Sequence, residues 1–183
     1  MSSLMQLVYI SRANFKPSPA AAGVEPVVAR ILQQSRTNNP RLSIGGVLYY
    51  GDGCFFQCLE GEQQVVLKLV DKLKGDTRHK DFRIVHQAPV TERQFSDWSM
   101  KYIPVSDAVK SLLESRGHKR FDPYQFDSDT HNQLLRLFRS LGKSSQEQPG
   151  APSAAATKMP VDALLVSAAA VLVLGMLGFW LWF

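Results

Sequence analysis

Ser43-Ile44-Gly45-Gly46-Val47-Leu48-Tyr49-Tyr50-Gly51-Asp52-Gly53-Cys54-Phe55-Phe56-Gln57-Cys58-Leu59-Glu60 reads as two strands, Ser43–Tyr50 and Cys54–Glu60, joined by a tight turn. Branched and aromatic residues fill both runs, and the Gly-Asp-Gly between them is a hairpin signal. Side chains alternate faces along a strand. One face of Cys54–Glu60 then carries Phe55, Gln57 and Leu59, and the other carries Cys54, Phe56, Cys58 and Glu60. Gln57 stands out, because it is an amide between two large apolar residues. A buried amide without partners costs about 1–3 kcal/mol, so this one must be matched to something.

Working outward from the hairpin, Leu4–Ser11 reads as a strand with Leu7 and Tyr9 on one face. Val24–Asn38 reads as a helix with Pro26 in its first turn, an apolar stripe of Val27, Val28, Ile31 and Leu32, and a stop at Asn38-Asn39-Pro40. Glu62–Lys74 repeats Val65, Val66, Leu69, Val70 and Leu73 at helical spacing and ends at Gly75. Asp81–Val90 and Trp98–Val105 are further strands. The order βαββαββ over residues 1–105 predicts an α+β fold, a ferredoxin-like mixed sheet with both helices on one face. Two more helices are expected within residues 106–142, Asp107–Arg116 capped by Ser106 and Asp129–Leu141 capped by Asp127 or Ser128. Leu134, Leu135, Phe138 and Leu141 then cover the sheet face left bare by the first pair.

The rest of the chain is of a different kind. Residues 143–160 are rich in Ser, Gln, Pro, Gly and Ala and read as a flexible linker. Ala163–Phe183 contains no charge, and Ser167 is its only polar residue. As a helix that segment is about 31 Å long, which matches a hydrocarbon core. Residues 161–183 therefore read as a transmembrane tail anchor, with Trp180 and Trp182 at the far interface and Lys158 on the near one. The expected location is a membrane, with the body in the cytoplasm. The N-terminus lacks the basic region of a signal peptide. The net charge of +5 has no basic run of five, so nucleic acid is not an expected partner. Cys54 and Cys58 would lie roughly 13 Å apart along a strand, too far for a disulfide or a shared metal, and the four histidines form no HExxH pattern.

Tyr9, Gln57, Asn38, Asn39, Met100 and Trp98 gather a phenol, amides, a thioether and an indole around one sheet face. The set suits hydrogen bonding to a flat polar heterocycle. It lacks the paired carboxylates or activated nucleophile that hydrolysis needs, so no catalytic residue is expected. Each member also has an ordinary reading: Tyr9 as a core tyrosine, Asn38-Asn39 as a helix stop, Trp98 and Met100 as core. Periodicity alone leaves those readings open.

The strings LVYISRA, SRTNNPRLSIGGVLYYGDGCFFQCLEG, GDTRHKDF and FSDWSMKY resemble the BLUF family, sensors of blue light using FAD, continuously over residues 4–103. The resemblance implies FAD as cofactor. Its light-responsive tyrosine falls on Tyr9, its glutamine on Gln57, and its signalling-strand pair on Trp98 and Met100. Asn38 and Asn39 would bind the flavin, Ile31 and Leu73 would sandwich the ring, and Asp76, Arg78 and His79 would lie near the ribityl and phosphate end. Gly45 stands where the family commonly has threonine. The implied function is a photoreceptor in which Gln57 rearranges its hydrogen bonds, and the change passes through Met100 and Trp98 to the C-terminal helices and an unidentified downstream protein. The sequence leaves the oligomeric state open, a homodimer included. Two alternatives remain at this point. One is a small hydrolase of the acylphosphatase kind, whose glycine-rich phosphate loop is missing here. The other is a non-photoactive flavin- or ligand-binding membrane adaptor.

Overall fold

A computed structural model describes residues 3–16, 24–95 and 100–144. In chain order the elements are β1 (Leu4–Ala13), α1 (Pro26–Asn38), β2 (Gly45–Gly51), β3 (Cys54–Glu62), α2 (Gln63–Lys74), β4 (His79–Val90), β5 (Lys101–Ile103), α3 (Asp107–Ser115) and α4 (Ser128–Ser144), with a 3-10 turn at Pro40–Leu42. They form one five-stranded sheet in the order β4-β1-β3-β2-β5, antiparallel throughout except for the parallel pair β2 and β5.

The hairpin forms where the sequence places it. Asp52 and Gly53 both have positive φ, 48° and 74°, the conformation whose twist matches a two-residue hairpin loop. Asp52 also accepts a hydrogen bond from the Phe121 backbone N–H at 2.7 Å, so the turn holds the loop before α4 as well. Gly46 is required by close approach. A Cβ there would lie 2.1 Å from the Cys58 carbonyl oxygen across the hairpin.

Each face of the sheet has its own core. On one face, Leu7, Tyr9, Leu48, Phe55, Leu59 and Met100 pack under Val28, Ile31 and Leu32 of α1 and Val66 and Val70 of α2. On the other, Val8, Ile10, Val47, Tyr49, Phe56 and Cys58 pack under Val109 and Leu113 of α3 and Leu134, Leu135 and Phe138 of α4. The strand phases read from the sequence assign these faces correctly, because side chains must alternate.

The element ends differ from the sequence expectation for local reasons. Glu62, expected inside the second helix, is its N-cap, and its carboxylate accepts from the backbone N–H groups of Gln64 and Val65 at 3.2 and 3.1 Å. Ser106 occupies the N-cap position of α3 but makes no capping bond, since its hydroxyl is buried without a partner. Asp127 caps α4 by accepting from the Thr130 N–H at 2.7 Å. α4 runs past Gly142 to Ser144. β4 begins at His79, ahead of the expected Asp81. Among the described residues β5 spans Lys101–Ile103, where Trp98–Val105 was expected, and Trp98 and Ser99 lie outside the described residues. Among the described residues no helix is long and apolar enough to cross a membrane, and the expected linker from residue 145 onward and the tail at 161–183 lie outside them.

Candidate functional site

The site grows from the centre of the sheet. Gln57 sits on β3, paired with Tyr9 of β1 on one side and Leu48 of β2 on the other. The register places all three side chains on the face covered by α1 and α2. Shifts in the β1–β4 pairing flank Tyr9 and Ile10, and bulges of this kind re-aim side chains. Met100 immediately precedes β5, which pairs with β2, so it reaches the same face from the far edge.

These three residues form a connected chain. The Tyr9 hydroxyl donates to Gln57 Oε1, and Gln57 Nε2 donates to Met100 Sδ at 3.4 Å. A thioether can only accept, so Met100 fixes which end of the amide faces it and therefore presents the carbonyl to Tyr9. All three residues are buried, with Tyr9 at 0% exposure. Burial pushes the Tyr9 phenol far above its ordinary pKa, and the nearby Asp76 carboxylate adds to the rise while Arg78 opposes it. Tyr9 thus holds its proton firmly. Its ring stacks on Phe82 at 4.3 Å between centroids.

The structure separates the asparagine pair. Asn39 is buried and Asn38 is exposed. Asn39 keeps helical backbone angles even though proline follows it, and its carbonyl accepts from Leu42 and Ile44 N–H at 3.0 and 2.9 Å. Ile31 is buried on α1 and Leu73 is half-buried on α2, both bordering the same core. Asp76 and Arg78 pair with each other, with Arg78 Nε donating to Asp76 Oδ1 at 2.9 Å. That bond holds the carboxyl below its usual range and the guanidinium above its own.

His79 is buried and is not an exposed cation. It opens β4, is buried, and lies 2.7 Å through Nδ1 from Ser11 Oγ. Burial lowers its pKa to about 4, with Arg78 adding to the fall and Asp76 opposing it, so the ring is uncharged near neutrality. Ser11 was missed in the sequence. The available signal was its position two residues after Tyr9, on the same strand phase. Glu60 and Gln6 were missed too, and they form a buried pair on the opposite face at 2.6 Å.

The residues present fit a flavin. Ile31 and Leu73 offer apolar surface from two helices over one sheet face, Gln57 supplies an amide at the centre of that sheet, and Asn39 is buried at the end of α1. Tyr50 Oη and His79 Nε2 on this side are buried without hydrogen-bond partners. A flat ring with polar edges matches such a lining. Cys54 and Cys58 lie on the other face as buried free thiols, and no metal-binding cluster occurs among the described residues.

Comparison with known proteins agrees with the geometry. The photoactivated adenylate cyclase subunit beta of Euglena longa is 33% identical over 141 residues, which is 76% of this chain and 14% of that protein. The chain therefore spans a small part of the curated relatives it matches. Among solved structures, the photo-activated state of BlsA is 30% identical with a TM-score of 0.65, covering 74% of this chain and 94% of that one. The dark state of BlrB, a BLUF protein, is 27% identical with a TM-score of 0.60, covering 77% and 98%. The family model for sensors of blue light using FAD matches residues 4–101, more than half of the chain, and this protein belongs to the BLUF family.

Proposed function

We propose that Tyr9, Gln57 and Met100 are the light-responsive switch of this blue-light sensor, on the observation that their side chains form one continuous buried hydrogen-bonded chain. FAD, when bound, supplies the absorption of blue light and the acceptor for an electron. Tyr9 is suited to give that electron together with its proton. Burial makes the tyrosinate too costly to form alone, and Gln57 Oε1 already accepts the hydroxyl's hydrogen bond. Gln57 is suited to respond because its amide carries two donors and an acceptor, so turning it end over end exchanges what each neighbour receives. After that exchange Tyr9 faces an N–H, and Met100 Sδ faces a carbonyl oxygen that cannot donate to it. Met100 then loses its tie to β3. Ile31, Leu73 and Asn39 hold and orient the ring, and Asp76 and Arg78 lie toward the phosphates. Trp98, two residues before Met100, takes part in the same relay.

Gln57→Leu removes both ends of the amide and should abolish the light-induced red shift of the flavin spectrum. Tyr9→Phe removes the donor and should do the same. Light and dark absorption spectra of both variants check this, and an unaltered shift in either would sink the proposal.

We also propose that residues 161–183 anchor the sensor to a membrane, with the body on the cytoplasmic side. The support is the uncharged segment Ala163–Phe183 with its terminal tryptophans, and the basic excess on the near side. The output passes to a separate signalling protein. The name of the Euglena relatives makes a nucleotide cyclase the first partner to test. Removing residues 161–183 should move the protein from the membrane fraction to the soluble fraction and leave the red shift intact; continued sedimentation with membranes would contradict the anchor.

A further inference from the structure

Tyr9 is held at its tip by the bond to Gln57, and its ring is met by two neighbours from β4. Phe82 stacks on it, with centroids 4.3 Å apart and planes 19° from parallel. His79 meets it nearly edge-on, with centroids 6.2 Å apart and planes at 77°. His79 is itself tied to Ser11 through Nδ1. Phe82 is half-buried and lies outside the hydrogen-bonded chain, so the switch as described makes no use of it.

The sheet sets the place of Phe82. β4 is an edge strand, and its pairing with β1 is irregular on both sides of this residue. Val8 pairs with His86 and Tyr9 with Ile84, which leaves Val85 as an extra residue in β4. Ile10 pairs with Arg83 and Arg12 with Lys80, so Asp81 and Phe82 together stand opposite Ser11. Asp81 has a φ of 55°, a left-handed conformation that a residue other than glycine keeps only when its surroundings hold it there. The Tyr124 hydroxyl, from the chain between α3 and α4, donates to the Asp81 carbonyl. The Arg83 guanidinium lies 5.2 Å from the Tyr124 ring centroid. The residues before and after Phe82 are thus both fastened, and irregularities of this kind aim a side chain.

We propose that Phe82 is a positioning residue of the light response: its stacked ring keeps the Tyr9 phenol turned so that the hydroxyl reaches Gln57 Oε1. The inference rests on the Tyr9–Gln57–Met100 switch proposed above. Rotation of Tyr9 about its Cα–Cβ bond carries the hydroxyl away from Gln57, and a hydrogen bond weakens steeply once its partners leave line. A ring lying flat on Tyr9 blocks that swing toward β4, and the stacked pair adds attraction beyond simple burial. Only molecules with the Tyr9–Gln57 bond in place can move a proton along it.

The test uses the full chain with FAD bound and two substitutions. Phe82→Leu keeps apolar bulk without a flat face, and Phe82→Ala keeps neither. The first readout is taken in the dark: the phenol C–O stretch of isotope-labelled tyrosine in the infrared, which reports the hydrogen bond of the hydroxyl. Tyr9→Phe identifies the band that belongs to Tyr9. The second readout is the yield of the red shift per absorbed photon, compared at equal flavin occupancy. The expected result is a displaced Tyr9 band in both variants and a yield lowered about fivefold, the change in aligned population that loss of one stacked aromatic pair produces. A Tyr9 band in its unsubstituted place in Phe82→Leu overturns the proposal. So does a displaced band with an unchanged yield. A merely structural role lowers the thermal midpoint of the variants and leaves both readouts as they are, which also overturns it. If Phe82→Ala does not fold by circular dichroism, Phe82→Leu decides alone. Absence of a red shift in the unsubstituted chain overturns the switch itself, whereas the dark Tyr9 band still reads the placement by Phe82, so the two failures are distinguishable.

Discussion

Inside the helix-covered face, His79 is held uncharged by burial, with its pKa lowered to about 4 from an ordinary value of 6.5. Between those values the unfolded chain binds more protons than the folded one. Stability therefore rises with pH from about 4 to about 6.5 and then levels off, and the total contribution is about 3 kcal/mol. Urea midpoints measured at pH 5 and pH 7.5 should differ in that sense, and His79→Gln should flatten the difference. An unchanged slope in the variant would assign the acid sensitivity elsewhere. Gln57 and His79 show what a single residue reveals in sequence. Gln57 was legible because an amide interrupts an apolar strand phase, and phase is a local property. The surroundings of His79 were not, because the resemblance implied only a place near the ribityl and phosphate end. Only tertiary burial against Ser11, Phe55 and Tyr9 makes it an interior neutral group.

At the scale of elements, the helices and the hairpin follow from periodicity and turn chemistry, whereas their ends follow from single hydrogen bonds. Glu62 reads as a helical residue by pattern, yet its carboxylate caps the first turn of α2. Glu62→Ala should cost about 1 kcal/mol, read as a lower thermal midpoint with an unaltered flavin spectrum; a change below experimental error would show that the cap contributes nothing. Among the described residues, β5 pairs with β2 at Lys101, Tyr102 and Ile103, opposite Val47, Leu48 and Tyr49. Met100 precedes that short pairing. It is held instead by the donor from Gln57 and by the Arg36 guanidinium, whose Nε donates to the Met100 carbonyl at 3.1 Å. A change at Gln57 therefore acts directly on one of the bonds made by Met100.

At the scale of the molecule, a single sheet separates two cores, one lined for a flavin and one filled by α3 and α4. The alternation of side chains along β1 and β3 made both faces legible from sequence. What the sequence did not show was how the buried Glu60 carboxylate holds the chain after β4, since Gln6, Glu60, Gln94 and Phe95 come from distant stretches of chain and have no shared motif. The two cores together suit the molecule to act as a photosensor. The most direct measurement is the absorption spectrum of the purified full chain with FAD, in the dark and under blue light. A working photosensor gives a flavin spectrum that moves to the red by several nanometres on illumination and returns in the dark. A bound flavin whose spectrum is the same before and after illumination would contradict it.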